Sequence, residues 1–231
     1  MRAETQRVRQ AYRRRDTSAV AGRYAPLSAA NRLMVHSREM AFVKLLAAEG
    51  LSDLGGKRIL EVGCGGAGEL SRLVGLGASP ELLYGIDLLA ERLPTSPRMR
   101  TLAHLVVADG ARLPFGDGTF DVVMQVTTFT SILDPALRRQ VAADMQRVLA
   151  PGGCVLWYDF FLDNPRNPDV RGVGRRELRS LFPGSDVSLR RVTLAPPLGR
   201  AVAPRSILLA RALEALPLLR SHYAGVVRPR A

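Results

Sequence analysis

The sequence predicts an α/β protein built on a mostly parallel sheet with helices on both faces. Three observations predict it. From residue 58 onward, short apolar runs of strand length alternate with helical stretches. The first run, Arg58-Ile-Leu-Glu61-Val, breaks into four glycines within six positions before a helical pattern resumes at Glu69. The helix joining two later runs carries clear start and stop signals: Asp134-Pro135 at its beginning and Pro151-Gly-Gly at its end. At 231 residues and 47% apolar, the chain has material for one such domain with extensions.

Taken in order, residues 1–20 are Arg-rich and weakly apolar, a frayed helix or an arm. Residues 29–50 read as an amphipathic helix, with Leu33, Val35, His36, Met40, Val43, Leu46 and Ala47 at mixed three- and four-residue steps and Gly50 at its end. Ser52 to Gly56 is a linker. Strands are expected at Arg58–Val62, Leu82–Asp87, His104–Ala108, Phe120–Val126 and Gly153–Phe160. The helix after the fourth strand has one apolar stripe, Leu137, Val141, Met145, Val148 and Leu149. Beyond a polar loop at 163–169 come a helix near 174–182 and a strand near 187–195. Residues 196–221 read as an insertion with Pro196-Pro197, a helix near 204–216 and Pro217, and His222–Arg228 is the last strand. The expected division is an N-terminal helical arm and cap at 1–56 and a ligand-binding domain at 57–231, with a lid insertion at 196–221.

The glycine turn carries the chemistry. A strand feeding a glycine-rich turn and a helix N-terminus presents bare backbone and free N–H groups to a ligand. Gly63-x-Gly65-x-x-Gly68 fits the dinucleotide fingerprint, and Asp87 stands at the distance expected of a ribose-binding acid. NAD(P), FAD and S-adenosylmethionine all use such a turn. Three further features narrow the choice: Glu61 two residues before the first glycine, Asp109-Gly110 after the third strand, and Arg147-Val-Leu-Ala-Pro151-Gly-Gly153 leading into the fifth.

With these four motifs in order over residues 57–160, the chain resembles the class I S-adenosylmethionine-dependent methyltransferases of the small-molecule subgroup. The resemblance implies a Rossmann-like, doubly wound, seven-stranded sheet with an antiparallel last strand. It implies S-adenosylmethionine as cofactor and S-adenosylhomocysteine as product. Residues carried over are Glu61 near the methionine amino group; Gly63, Cys64, Gly65 and Gly68 in the turn; Asp87 and Leu88 at the ribose; Asp109 and Gly110 at the adenine; and Gln125 ending the fourth strand. Gly66-Ala67 departs from relatives that carry a single threonine or serine there. The antiparallel last strand places residues 196–221 at the carboxyl edge of the sheet, where open α/β sheets bind ligands, so the insertion and the N-terminal helix are read as a lid.

Methyl transfer is an in-line displacement that needs alignment and exclusion of water more than it needs a base. Candidates for a base are His222, His36 and Asp159. Candidate substrate contacts are Tyr24, Arg38, Thr130, Tyr158, Arg175 and Tyr223. Asp159 and Tyr158 are neighbours on one strand, so only one of them faces the site. His104 opens the third strand away from the ligand edge and is read as structural. No His/Cys/Asp cluster has metal-ligand spacing, so no metal is expected.

The formal net charge is +12, and all but two of the 33 basic residues are arginine. Residues 1–56 carry 10 basic and 5 acidic groups, 57–159 carry 10 and 11, and 160–231 carry 13 and 5. The excess lies outside the cofactor core. A small-molecule acceptor is expected, at a hydroxyl oxygen of a natural-product or sugar-type metabolite, with an anionic or carrier-bound acceptor suggested by this charge. The alternatives are an RNA or protein methyltransferase and an NAD(P)-binding oxidoreductase. Nucleic acid is disfavoured because Gln125-Val-Thr-Thr-Phe129 replaces the Pro-Pro-aromatic clamp for a flipped base and aromatics are few. No apolar run reaches the roughly 20 residues that span a bilayer. The first residues lack the apolar segment of a signal peptide. Cys64 and Cys154 read as small buried residues, so a cytoplasmic location is expected. The apolar stretch 204–219 fits a lid or a homodimer surface equally.

Overall fold

In a computed structural model that describes residues 2–15, 25–165 and 167–230, the apolar runs become seven strands: β1 (Ile59–Val62), β2 (Leu83–Asp87), β3 (His104–Val107), β4 (Phe120–Val126), β5 (Leu149–Phe160), β6 (Ser185–Leu194) and β7 (Arg220–Pro229). They form one sheet in the order β3-β2-β1-β4-β5-β7-β6. Pairing is parallel except at β7, which runs against both β5 and β6 and sets Phe160 opposite His222 and Asp159 opposite Tyr223. The strand order reverses between β1 and β4, the switch point at which open sheets leave a crevice.

The helices are α1 (Arg2–Arg15), α2 (Ala29–Ala48), α3 (Gly68–Gly75), α4 (Pro97–Arg100), α5 (Pro135–Arg147), α6 (Arg175–Leu181), α7 (Pro196–Val202) and α8 (Ile207–Ala215). The central strands are buried on both faces because helices cover both. Leu60, Phe129, Trp157 and Phe182 pack on the side of α5 and α6. Ile59, Leu83, Leu156 and Phe42 pack on the side of α2 and α3. Edge strand β3 departs from this pattern, with Val106 and Val107 exposed. A third cluster, Ala30, Leu33, Leu194, Ala203 and Ala210, ties α2 to α7 and α8 at the carboxyl end of β6.

Helix α5 starts where its sequence says: the Asp134 carboxylate accepts from Ala136 N at 2.8 Å and Pro135 takes the first turn. It stops at Arg147 rather than at Pro151, because Leu149 already pairs with Phe120 and the Pro151-Gly152-Gly153 stretch forms an irregularity within β5. A Cβ on Gly153 would lie 2.9 Å from the Asp121 carbonyl, so the strands close up only around glycine. Helix α7 is absent from the sequence expectation. Pro196 and Pro197 open it, and proline costs nothing where the N–H has no helical partner. Residues 1–20 contain a formed helix at 2–15 rather than a loose arm.

Candidate functional site

The crevice is built around the ends of β1 and β4. After Val62 the chain enters the left-handed region at Gly63 (φ +78°) and again at Gly65 (φ +48°). A side chain on Gly63 would collide with Thr128, whose Cγ2 would lie 2.9 Å from the added carbon. Thr128 in turn donates from Oγ1 to the Val62 carbonyl at 3.0 Å, and Thr127 holds a left-handed φ of 56°. The two strand ends are thus interlocked. Gly63 N and Cys64 N donate to the Ile86 carbonyl at 2.8 and 2.9 Å, joining the turn to β2.

Asp87, at the end of β2, is 6% exposed. Its carboxylate accepts from Gly65 N at 2.9 Å and Leu89 N at 3.0 Å, with Arg92 Nε 3.5 Å away. The Arg92 guanidinium lies 3.7 Å from the Tyr12 ring centre. Asp87, Leu88, Asp109 and Gly110 line the smaller lobe of the crevice, and Glu4, Thr5, Val8 and Tyr12 of α1 roof it. Helix α1 is anchored there: the Glu4 carboxylate accepts from Leu133 N at 2.8 Å, Arg7 donates to the Ser131 carbonyl, and Arg14 pairs with Asp169 at 2.7 Å. The hydrogen bond from Arg7 holds the Glu4 carboxyl below its usual range.

The larger lobe, about 550 Å³, shares Tyr12, Gly63, Arg92 and Thr127 with the smaller one. Its floor is Glu61, Cys64, Gly65 and Gly68. Its far wall is Met34, Val35, Tyr158, Phe160, Leu162 and His222. Glu61 is 2% exposed, and its Oε2 has no hydrogen-bond partner. Burial pushes the Glu61 carboxyl well above its ordinary value, and the Glu69 charge adds to that. Arg38 pairs with Glu69, which also takes Arg72 at 2.7 Å, and the Arg38 guanidinium lies 5.2 Å from the Tyr158 ring centre.

His222 is 3% exposed and sandwiched by aromatic rings, 4.7 Å from the centre of Tyr158 and 3.8 Å from that of Phe160. Its Nδ1 meets Ser221 Oγ at 3.0 Å. Burial pushes the imidazole down to about 3, and the Arg38 charge pushes the same way. Burial also raises the Tyr158 hydroxyl to about 12, where it donates to Thr193 Oγ1 at 2.9 Å.

The crevice therefore brings together Glu61, Gly63, Cys64, Gly65, Gly68, Asp87, Leu88, Asp109 and Gly110, together with Arg38, Thr130, Tyr158 and His222. Five expected site residues lie elsewhere. Asp159 points to the opposite face from Tyr158, as strand alternation requires. It accepts from Thr130 N at 3.1 Å and Phe160 N at 2.9 Å, with burial raising it to about 7. Gln125 is wholly buried and braces the turn after β4, accepting from Thr128 N and donating to the Tyr158 carbonyl. Tyr223 alternates with His222 and packs on Phe161 on the other face, with Arg175 6.0 Å above its ring. His36 faces a separate groove between α2 and β6, because it stands on a different side of α2 from Val35 and Arg38. Tyr24 lies outside the described residues.

Arg92 and Glu69 are crevice residues that the sequence reading passed over. Glu69 reads as an ordinary first-turn helix residue and Arg92 as a polar residue in the turn after β2, and only the approach of α1 and α2 makes them part of the wall. Among the described residues, no group of three His, Cys, Asp or Glu side chains could hold a metal ion, and Cys64 and Cys154 are free.

Residues 60–157 match the family model described as "Methyltransferase domain". A phthiotriol/phenolphthiotriol dimycocerosates methyltransferase of Mycobacterium tuberculosis is 38% identical over 114 residues, 48% of this chain and 41% of that protein. A fatty-acid O-methyltransferase of Mycolicibacterium smegmatis is 37% identical over 110 residues, 47% of this chain and 39% of that protein. The chain thus spans about two fifths of the length of these curated relatives. Among solved structures, a geranyl diphosphate C-methyltransferase from Streptomyces coelicolor superposes with a TM-score of 0.59 at 15% identity, covering 83% of this chain and 77% of that one. At that identity the likeness is one of fold.

Proposed function

We propose, from the premise that residues 60–157 belong to the class I S-adenosylmethionine-dependent methyltransferases, that this chain transfers a methyl group from S-adenosylmethionine to an oxygen of an apolar-chain small molecule. The observation that carries the proposal is the continuity of the crevice. It begins on the glycine turn and ends among Met34, Val35, Phe160 and Leu162, with His222 on its wall.

The residues present suit the cofactor. A buried carboxylate with an unpartnered oxygen, Glu61, is the complement of an ammonium group. Asp87 is fixed by two backbone N–H groups with its side chain on the lobe wall, as a ribose diol requires. Asp109 and Gly110 line the same lobe and suit the adenine edge. When bound, the cofactor supplies an electrophilic methyl carbon on a sulfonium. Helices α1 and α2 and the insertion at 196–221 act as covers that exclude water and hold the acceptor in line.

His222 is neutral throughout the ordinary pH range. It serves as a hydrogen-bond partner that orients the acceptor rather than as a strong base, since an efficient base titrates near the working pH. With Glu61 engaged by the cofactor, the acceptor that suits this wall is one whose oxygen is already ionised. A carboxylate on an apolar chain meets that need, and a fatty-acid O-methyltransferase stands among the relatives. The test begins with calorimetric titration of S-adenosylmethionine, S-adenosylhomocysteine and NADH. Transfer of labelled methyl to a long-chain fatty acid and to the matching alcohol follows. Micromolar binding of the first two ligands and labelling of the acid alone are expected. Binding of NADH alone would overturn the reading, and labelling of the alcohol alone would overturn the choice of acceptor.

A further inference from the structure

We infer that the face formed by residues 198–218 docks the protein onto an anionic lipid bilayer. Six large apolar side chains of this segment stand in water: Leu198, Ile207, Leu208, Leu209, Leu216 and Leu218, with Leu208 at 76% and Leu218 at 87% exposure. Single exposed leucines are ordinary, but a cluster in one short segment is not. Helix α8 turns its apolar stripe outward. At helical spacing Leu208, Ala212 and Ala215 fall on one side with Leu209 and Leu216 next to them, and only Ala210 is buried.

The surroundings supply the charge complement. Lys44, Arg190 and Arg211 line the groove between α2, β6 and α8, and among the described residues none of the three has an ion-pair or hydrogen-bond partner. The one acidic side chain in that groove, Glu214, already accepts from Leu194 N at 3.2 Å. An apolar stripe bordered by cations is the pattern of a helix that lies in the headgroup layer. No helix of the described residues is long and apolar enough to cross a membrane, so the contact is one of lying on the surface. A second copy fits less well: a two-fold contact brings each patch near its own image, and the unpaired cations on its border would then face one another.

The docked face adjoins the crevice. Pro196 and Arg200 of α7 line the larger lobe, while Leu198 of the same short helix stands outside it. The bilayer would therefore sit beside the mouth through which an apolar-chain acceptor enters. The docking itself is independent of the reaction.

The test is co-sedimentation of the full chain with vesicles of phosphatidylcholine alone and with equal parts phosphatidylglycerol. Each basic residue near an anionic surface is worth about fivefold in affinity, so three give roughly a hundredfold preference for the anionic vesicles at low salt. Leu208→Glu with Leu209→Glu should reduce binding at least tenfold, and Lys44→Glu with Arg211→Glu should remove the preference. All four side chains are outside the buried core, and a thermal melt checks that each variant is folded. Equal partition into both vesicle types overturns the inference. So does absence of binding to either, including the case where light scattering shows a dimer that Leu208→Glu dissociates.

Discussion

Replacing Glu61 by glutamine separates the stability of the empty protein from its grip on a cationic ligand, and the two should move in opposite directions. The Glu61 carboxyl is raised above its ordinary value of 4.5 by burial, then by the neighbouring Glu69. Well below 4.5 both folded and unfolded chains hold the proton, and burial brings no ionisation penalty. As pH rises past 4.5 the unfolded chain ionises while the folded one keeps its proton, so the penalty grows until the folded group also titrates. Glutamine never ionises, so Glu61→Gln should be more stable than the parent at pH 8 and nearly equal to it at pH 4. Binding goes the other way. A charge-assisted hydrogen bond contributes about 1.5–3 kcal/mol, so the Kd for S-adenosylmethionine should rise roughly 10- to 150-fold. In the parent, on the proposed placement, the cofactor's ammonium would favour the carboxylate and displace the proton that burial holds there. The heat of binding, at any pH where the empty site still holds that proton, should therefore depend on the ionisation enthalpy of the buffer, and in the variant that dependence should vanish. Thermal melts at pH 4 and 8, with calorimetry in phosphate and Tris, measure all three quantities. An unchanged Kd with no buffer-dependent heat in the parent would refute the reasoning.

Two other substitutions test the frame of the crevice. Gly63→Ala forces a Cβ into a left-handed backbone position and against Thr128. The conformational cost of about 1–2 kcal/mol plus about 1 kcal/mol for the Thr128–Val62 hydrogen bond should appear as a loss near 3 kcal/mol in urea unfolding, and an unshifted midpoint would contradict the interlock. Asp159 is raised from 3.8 to about 7 by burial. Its penalty is absent below about pH 4, grows between 4 and 7, and reaches roughly 4 kcal/mol above that. Asp159→Asn should therefore gain on the parent between pH 4 and pH 8 in urea titrations, and a pH-independent difference would place the ionisation elsewhere.

What the sequence made legible was local. The strand Phe120–Val126 has the same bounds in pattern and in structure. The turn from Glu61 to Gly68 could be read because its glycines, its acid and its strand are all neighbours in the chain. What could not be read depended on face or on distance. Alternation says that Tyr158 and Asp159 point apart, but only the packing of α2 against β5 decides that Tyr158 takes the crevice. The same choice on β7 selects His222 over Tyr223, and on α2 it turns His36 away from Arg38. The docking of α1 is a long-range event, made by Arg7 and Glu4 reaching residues more than a hundred positions away, and nothing in an Arg-rich opening stretch announces it.

That roof has a kinetic meaning. With Glu4, Thr5, Val8 and Tyr12 forming one side of the smaller lobe, a ligand held there would be released sooner whenever α1 swung aside. On the proposed reaction, the residence time of a spent ligand would then depend on how firmly the helix is held as well as on how tightly the glycine turn holds. The ties on its outer side, Arg9 to Glu91 and Arg14 to Asp169, are solvent-accessible ion pairs, and dissolved salt weakens such pairs first. On the proposed reaction, ionic strength would then act on product release through the anchoring of α1, at a distance from the reacting atoms.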